Sequence, residues 1–137
     1  MPITNELTLH VDNHPETLGR ICQALANRGV NIMAFQSVPA GGSVLVCIVV
    51  DNLKAAEAIL DSEKINYTEG EVAQVKLPLG PYELARAASR LCEANISINY
   101  AYSGVEPGTN APLAIFGVTD VGRAAVILDQ NAATASG

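Results

Sequence analysis

Apolar positions along the chain follow two different spacings, one typical of strands and one typical of helices. From Glu6 to Asp12 apolar and polar residues alternate, which predicts a strand with one apolar face. After Pro15 the apolar residues recur at helical spacing until Gly29, a residue type that commonly ends helices. Further apolar segments predict a second helix after Asn52 and three more strands, at Val30–Val38, Ser43–Val50 and Ile65–Leu77.

The same order of elements then returns, so the chain is interpreted as a duplication. Pro81 stands 66 positions after Pro15, and Asn95 replaces Gly29 at the expected helix end. The second half predicts a last helix capped by Asp120, and strands at Ala73–Leu77, Ile96–Ser103 and Leu113–Val118. It has no evident fourth strand, and the Ile65–Leu77 segment is expected to serve both halves.

Two such halves predict an α+β protein of two ferredoxin-like βαββαβ units, each with an antiparallel sheet and helices on one face. The expected domains are residues 1–70 and 71–130. Residues 131–137 are small and polar, and we expect them to fray. The helical and strand spacings predict these buried residues: Leu18, Ile21, Leu25, Val46, Ile48, Leu84, Leu91 and Ile115.

Composition excludes several classes of protein. The 137 residues carry a formal net charge of −6 without a Lys/Arg cluster, which argues against nucleic acid as a partner. No apolar run approaches the length of a membrane span, and the first residues do not resemble a signal peptide. The three cysteines are expected to be reduced core thiols of a cytoplasmic protein. Neither a metal site nor a cofactor is expected.

The segment from Asp12 to Leu18, followed by Gly29-Val30-Asn31-Ile32, resembles the signature of ACT domains. These are small ligand-sensing modules of amino-acid metabolism. The resemblance covers essentially the whole chain twice, in the manner of a stand-alone tandem pair without a catalytic domain. In the family, glycine follows the proline, whereas this chain has Glu16 in the first copy and Tyr82 in the second.

The resemblance implies a ligand site at an interface between two ACT domains. The loop after the first strand and the start of the second strand hold the ligand in that family. A helix N-terminus there offers backbone N–H groups to a carboxylate. Carried over to this chain, the implied ligand-binding residues are Asp12, Asn13, His14, Pro15, Asn31 and Ile32, with Gly80, Pro81 and Asn99 in the second copy. Alternatively, Asp12 and Asn13 only cap the helix, and Asn31 only satisfies backbone groups at the strand start.

No local motif for nucleophilic catalysis or phosphate binding is present, so we expect a protein that is not an enzyme. One hypothesis is a regulatory protein that binds an amino acid between ACT domains. The other is a subunit that binds a partner enzyme of amino-acid metabolism without a small-molecule ligand. The predicted bare sheet faces favour a homodimer or a higher even homo-oligomer.

Overall fold

The computed structural model describes the backbone of residues 2–136 and the side chains of residues 2–129. Strands and helices follow one another in a βαββαβ-type order that is repeated. In chain order they are β1 (Ile3–Asp12), α1 (Pro15–Asn27), β2 (Ile32–Ala40), β3 (Ser43–Val50), α2 (Leu53–Ser62), β4 (Asn66–Lys76), α3 (Glu83–Glu93), β5 (Ile98–Val105), β6 (Pro112–Val118) and α4 (Val121–Ser136).

The chain divides into two compact units, the first of which is Asn5–Gly70. Within it β3 pairs antiparallel with β1 and with β2. Asp12 and Ala40 both pair with Ser43, while Ile32 pairs with Val50. Apolar side chains from one sheet face and from α1 and α2 form the core, whose buried members are Leu7, Leu9, Val11, Ile21, Leu25, Val30, Val46, Ile48, Ala56, Ile59 and Leu60.

The second unit comprises the chain from Glu71 onward together with the residues before Asn5. Here β6 pairs antiparallel with β4 and β5. The amide of Gln74 donates to the carbonyl of Pro2 at 2.7 Å, so the residue directly before β1 makes a backbone hydrogen bond with β4. The buried core consists of Ala73, Val75, Ala87, Leu91, Ile96, Ala114, Phe116, Ala124 and Leu128.

Equivalent backbone devices recur in both units and confirm the repeated pattern. Helix α1 ends before Gly29, with φ of +74°, and α3 ends before Asn95, with φ of +61°. Both are in the left-handed region that closes helices, as the sequence predicts. After each helix, an equivalent backbone hydrogen bond closes the turn toward the next strand. The amide of Val30 donates to the carbonyl of Leu25, and the amide of Ile96 donates to the carbonyl of Leu91, both at 3.0 Å.

The predicted caps of α2 and α4 are present. The side-chain oxygen of Asn52 accepts from the amide of Ala55 at 3.1 Å, and that of Asp120 accepts from the amide of Arg123 at 3.1 Å. Each bond satisfies an N–H group that the first helical turn leaves without an intrahelical acceptor.

Most of the predicted buried residues are buried, but Leu84 is wrong because 57% of it is exposed. Helix α3 begins at Glu83, so Leu84 lies in its first turn, beyond the packed positions Ala87 and Leu91. Leu18 is only partly buried against the core of the first unit.

The expectation of core thiols is also wrong for Cys92, which is exposed on α3. It follows Leu91, which faces the core, so the turn of the helix carries Cys92 outward. The predicted fraying of residues 131–137 stays a prediction: α4 runs to Ser136, while the side chains of 130–136 and Gly137 lie outside the described residues.

Candidate functional site

The loop that joins β1 to α1 carries four of the residues implied by the ACT resemblance. His14 is the N-cap of α1 and Pro15 occupies the first turn, where a missing N–H costs nothing. The amide of His14 donates to the carbonyl of Asp12 at 2.9 Å, and the amide of Thr17 donates to the carbonyl of His14 at 3.1 Å. The side chain of His14 makes no capping hydrogen bond. Asp12, Asn13, His14 and Pro15 are all exposed, so this loop presents its polar groups to solvent.

A groove of about 200 Å³ runs beside this loop, on the side of β2 and β3. We call it the loop groove. Its apolar lining includes Leu18, Val44 and Val46, and Ser37 adds a hydroxyl group. Its remaining lining residues are Val11, Asp12, Asn13, His14, Pro15 and Thr17. An apolar wall with polar groups along one side is the usual construction of a small-molecule site.

A second and more polar cleft of about 360 Å³ borders the same loop on its other side. Arg20 on α1 and Lys64 in the turn before β4 bring two cations to it, beside His10. Sequence reasoning missed Lys64, because only the fold brings the turn after α2 beside the loop after β1. The positive φ of Lys64, +57°, marks that turn, but nothing in its sequence connects it with Asp12.

Asn31 and Ile32 lie at the opposite end of the sheet of the first unit from Asp12. Asp12 is level with Ser43, whereas Ile32 is level with Val50. The seven strand positions between Ser43 and Val50 correspond to roughly 23 Å. The structure therefore does not bring the two predicted halves of the site together within one unit.

Asn31 is instead joined to Asp51, the residue after β3. The amide N–H of Asn31 donates to Oδ1 of Asp51 at 2.9 Å, and Nδ2 of Asn31 donates to Oδ2 of Asp51 at 2.8 Å. The amide of Asp51 returns a bond to the carbonyl of Asn31 at 3.1 Å. The Asp51 carboxylate thus satisfies the backbone N–H of Asn31 before β2, the Asn31 side chain bonds to the same carboxylate, and both side chains are exposed.

The second unit presents different chemistry at the corresponding places. Gly80 and Pro81 lie in a loop beside Leu79, which is 98% exposed, and Tyr82, which is 72% exposed. Asn99 lies within the irregularity of β5 between Ile98 and Tyr100. The loop of this unit is therefore largely apolar.

The sequence pattern did not indicate one polar group near this loop. Oε2 of Glu83, at the start of α3, is buried and lies 3.5 Å from a guanidinium nitrogen of Arg86, without a hydrogen bond. Adjacent to it, a Cβ on Gly80 would lie 3.6 Å from Cγ of Glu83. A side chain at this position would therefore make only an ordinary van der Waals contact with Glu83.

Two ionisable groups elsewhere have shifted pKa values with clear causes. Burial, with a further contribution from Glu6, raises the pKa of the Cys47 thiol, which keeps it protonated and unreactive. Hydrogen bonds from Lys76 and Thr109 lower the pKa of Glu106. Neither group borders the loop groove.

The described residues bear on two further kinds of site. They contain no cluster of three or more His, Cys, Asp or Glu side chains arranged to hold a metal ion. Among the same residues, no helix has the length and apolar character needed to cross a membrane.

Comparison with known proteins identifies an ACT domain at residues 6–61, which fall within the first unit. The fold of the whole chain resembles a protein from Bacteroides thetaiotaomicron, with a TM-score of 0.82, 17% identity and coverage of 94% of this chain and 88% of that one. It also resembles the ligand-free regulatory subunit of aspartate kinase from Thermus thermophilus, with a TM-score of 0.64, 16% identity and coverage of 93% and 91%.

The regulatory subunit of aspartate kinase from Thermus flavus is similar as well, with a TM-score of 0.58, 14% identity and coverage of 96% and 97%. No curated protein sequence matches this chain. These likenesses define an α+β, ACT-like fold for the chain.

Proposed function

We propose that this protein is a non-catalytic regulatory protein that binds a small amino acid, with both halves of the chain serving as ACT domains. The observation that carries the proposal is the loop groove beside Asp12–Pro15, inside the segment that matches the ACT family. Similar folds occur in regulatory subunits of aspartate kinase, which supports a regulatory role.

The groove has the size and chemistry for such a ligand. Its volume of about 200 Å³ equals that of roughly six to seven water molecules in the liquid, which suits a small amino acid. The apolar residues Leu18, Val44 and Val46 suit a short side chain. The N-terminus of α1 carries a partial positive charge, which suits the α-carboxylate.

The second half of the site comes from another copy of the chain in this proposal. Asn31 and Ile32 are too far from Asp12 to contact the same small ligand within one unit. An assembly that places the strand start of one protomer against the loop of its partner joins the two halves. A symmetric homodimer, or a higher even oligomer, then holds pairs of equivalent sites.

Calorimetry with the common amino acids at millimolar concentration tests the proposal, after a thermal-shift screen of the same compounds. One small amino acid should bind the wild type. Asn31→Ala should weaken it by about tenfold or more, because it removes a hydrogen bond to a charged group. Asn27→Ala, an exposed asparagine on α1, is the matched control and should bind normally. Unchanged affinity in Asn31→Ala would show that the site is misplaced.

The alternative function is that of a subunit that binds a partner enzyme without a small molecule. The exposed apolar side chains Leu79, Tyr82 and Leu84 in the second unit favour it, because such groups are common at protein interfaces. If no amino acid binds at millimolar concentration, this alternative becomes the better account.

A further inference from the structure

The contacts between Asn31 and Asp51 fix which atom of the Asn31 side chain is available to a ligand. Two N–H groups of Asn31 reach the two carboxylate oxygens of Asp51, at 2.9 and 2.8 Å. An ionised carboxylate only accepts hydrogen bonds, so it holds the NH₂ end of the asparagine side chain and turns Oδ1 away. Charge-assisted bonds of this length are among the stronger ones, so the orientation is well defined.

We propose that Asp51 is a positioning residue that makes the start of β2 a receptor for a ligand's ammonium group. This inference rests on the proposed function. Oδ1 of Asn31, directed away from Asp51, accepts a hydrogen bond from the ammonium group. The negative charge of Asp51, one hydrogen bond further away, stabilises the same cation and repels a carboxylate.

The negative charge at the start of β2 determines the orientation and the chemical class of the ligand. The ammonium group lies at Asn31 of one protomer, and the carboxylate lies at the α1 N-terminus of the other. The ligand is therefore a zwitterionic α-amino acid. The corresponding 2-hydroxy acid has no cation to place beside Asp51, and an N-acylated amino acid has lost its charge there.

The second unit provides an internal comparison. Its equivalent strand start is Ser97, whose amide donates to Oγ1 of Thr119 at 3.2 Å, while the amide of Thr119 donates to the carbonyl of Ser97 at 3.1 Å. The backbone arrangement matches that of Asn31 and Asp51, yet the charge and the oriented amide are both missing. Hydrogen bonding between the start of one strand and the end of the next therefore does not require an aspartate. Recognition of the ammonium group belongs to the first unit alone.

Asp51→Asn tests the role of Asp51 because it keeps the shape of the side chain and removes its charge. The side-chain NH₂ of the new asparagine faces Asn31, whose amide then turns its oxygen inward and presents N–H groups to the ligand. For any amino acid that binds the wild type, we expect at least about a tenfold loss of affinity. The preference for that amino acid over its 2-hydroxy acid should fall as well. Asp129→Asn, an exposed aspartate in the second unit, is the charge-matched control and should change neither quantity.

NMR of the ligand-free protein tests the amide orientation by itself. The side-chain NH₂ protons of Asn31 should exchange with solvent more slowly than those of exposed Asn13, and Asp51→Asn should abolish the difference. Equal exchange rates in the wild type overturn the inference.

The two proposals fail in distinguishable ways. If an amino acid binds and Asp51→Asn leaves both affinity and preference unchanged, this inference is wrong while the proposed function survives. If no amino acid binds the wild type, the proposed function fails and the ligand role of Asp51 fails with it.

Discussion

Replacing Gly117 by alanine is predicted to displace the ring of Tyr100 and to destabilise the second unit. Gly117 on β6 is the cross-strand partner of Tyr100 on β5. A Cβ built on Gly117 would overlap three atoms of the Tyr100 ring, Cε1, Cζ and Cε2. The ring therefore lies against the bare backbone of β6, and an added methyl group has no room unless the ring moves.

The magnitude follows from how much of the ring is packed. Tyr100 is 36% exposed, so most of its surface is in contact with protein. It also stacks on Tyr102, with ring centroids 6.3 Å apart and planes 7° apart, so moving one ring disturbs the other. Forcing a methyl group into a packed site costs about 1–3 kcal/mol. In a chain of this size, about 2 kcal/mol lowers Tm by roughly 6–10 °C.

Thermal and urea unfolding of Gly117→Ala measure this cost, with Gly19→Ala as the matched control. A Cβ at Gly19, on the exposed side of α1, meets no atom within 4 Å, so alanine there should stabilise the helix by about 0.5–1 kcal/mol. Combining Gly117→Ala with Tyr100→Ala removes the overlap, so the double variant should lose less than the sum of the single losses. Wild-type stability of Gly117→Ala, or strict additivity, would show that Tyr100 does not pack against Gly117.

Three further predictions concern the fold. Asn95→Ala should lose about 1 kcal/mol, whereas Asn95→Gly should lose nothing, because asparagine tolerates φ of +61° better than alanine and glycine has no Cβ; chemical denaturation separates the two. Leu91→Ala should cost about 2–5 kcal/mol and Leu84→Ala less than about 0.5, since only Leu91 is buried, and an equal loss in both would contradict the corrected burial. The lowered pKa of Glu106 adds stability above its unfolded pKa, near 4.5, that is lost as pH falls through the folded pKa. Lys76→Met should therefore flatten the acid limb of a stability–pH profile, and an unchanged limb would show that the ion pair contributes nothing.

Local patterns were sufficient to predict the repeated elements. Gly29 and Asn95 marked helix ends, and Asn52 and Asp120 marked helix starts, because a single residue type decides each of these conformations. Burial of Leu84 was predicted wrongly because helical spacing does not reveal where α3 begins.

Features that depend on distant parts of the chain were not predictable. The backbone pairing of Pro2 with Gln74 joins segments with no common sequence pattern. The pairing of Asn31 with Asp51 also requires the strand register, and so does the contact of Tyr100 with Gly117.

Equivalent cross-strand pairs in the two units carry residues of different size. In the first unit the cross-strand pair is Ala34 with Val49, and both are buried. In the second unit the equivalent pair is Tyr100 with Gly117, so a large residue on one strand accompanies the smallest on the other. Cross-strand neighbours share one volume, and a change in one is tolerated when its partner compensates. Such compensation weakens sequence similarity between the units while preserving their structure.

If the loop of one protomer and Asn31 of another form a single amino-acid site, mixing two variants with different defects should restore binding. Two inactive variants are prepared, one with Asp12→Ala and Asn13→Ala and the other with Asn31→Ala. Each is titrated alone by calorimetry with the amino acid that binds the wild type, and then both are titrated together after subunit exchange. In a mixed dimer, one site contains both defects and the other contains neither.

Neither variant alone should bind with wild-type affinity. An equal mixture should recover about one quarter of the wild-type number of sites, at wild-type affinity, because half of the dimers are mixed and each has one intact site. A wild type that binds an amino acid, together with a mixture that recovers no sites, would contradict the claim that two protomers share the site.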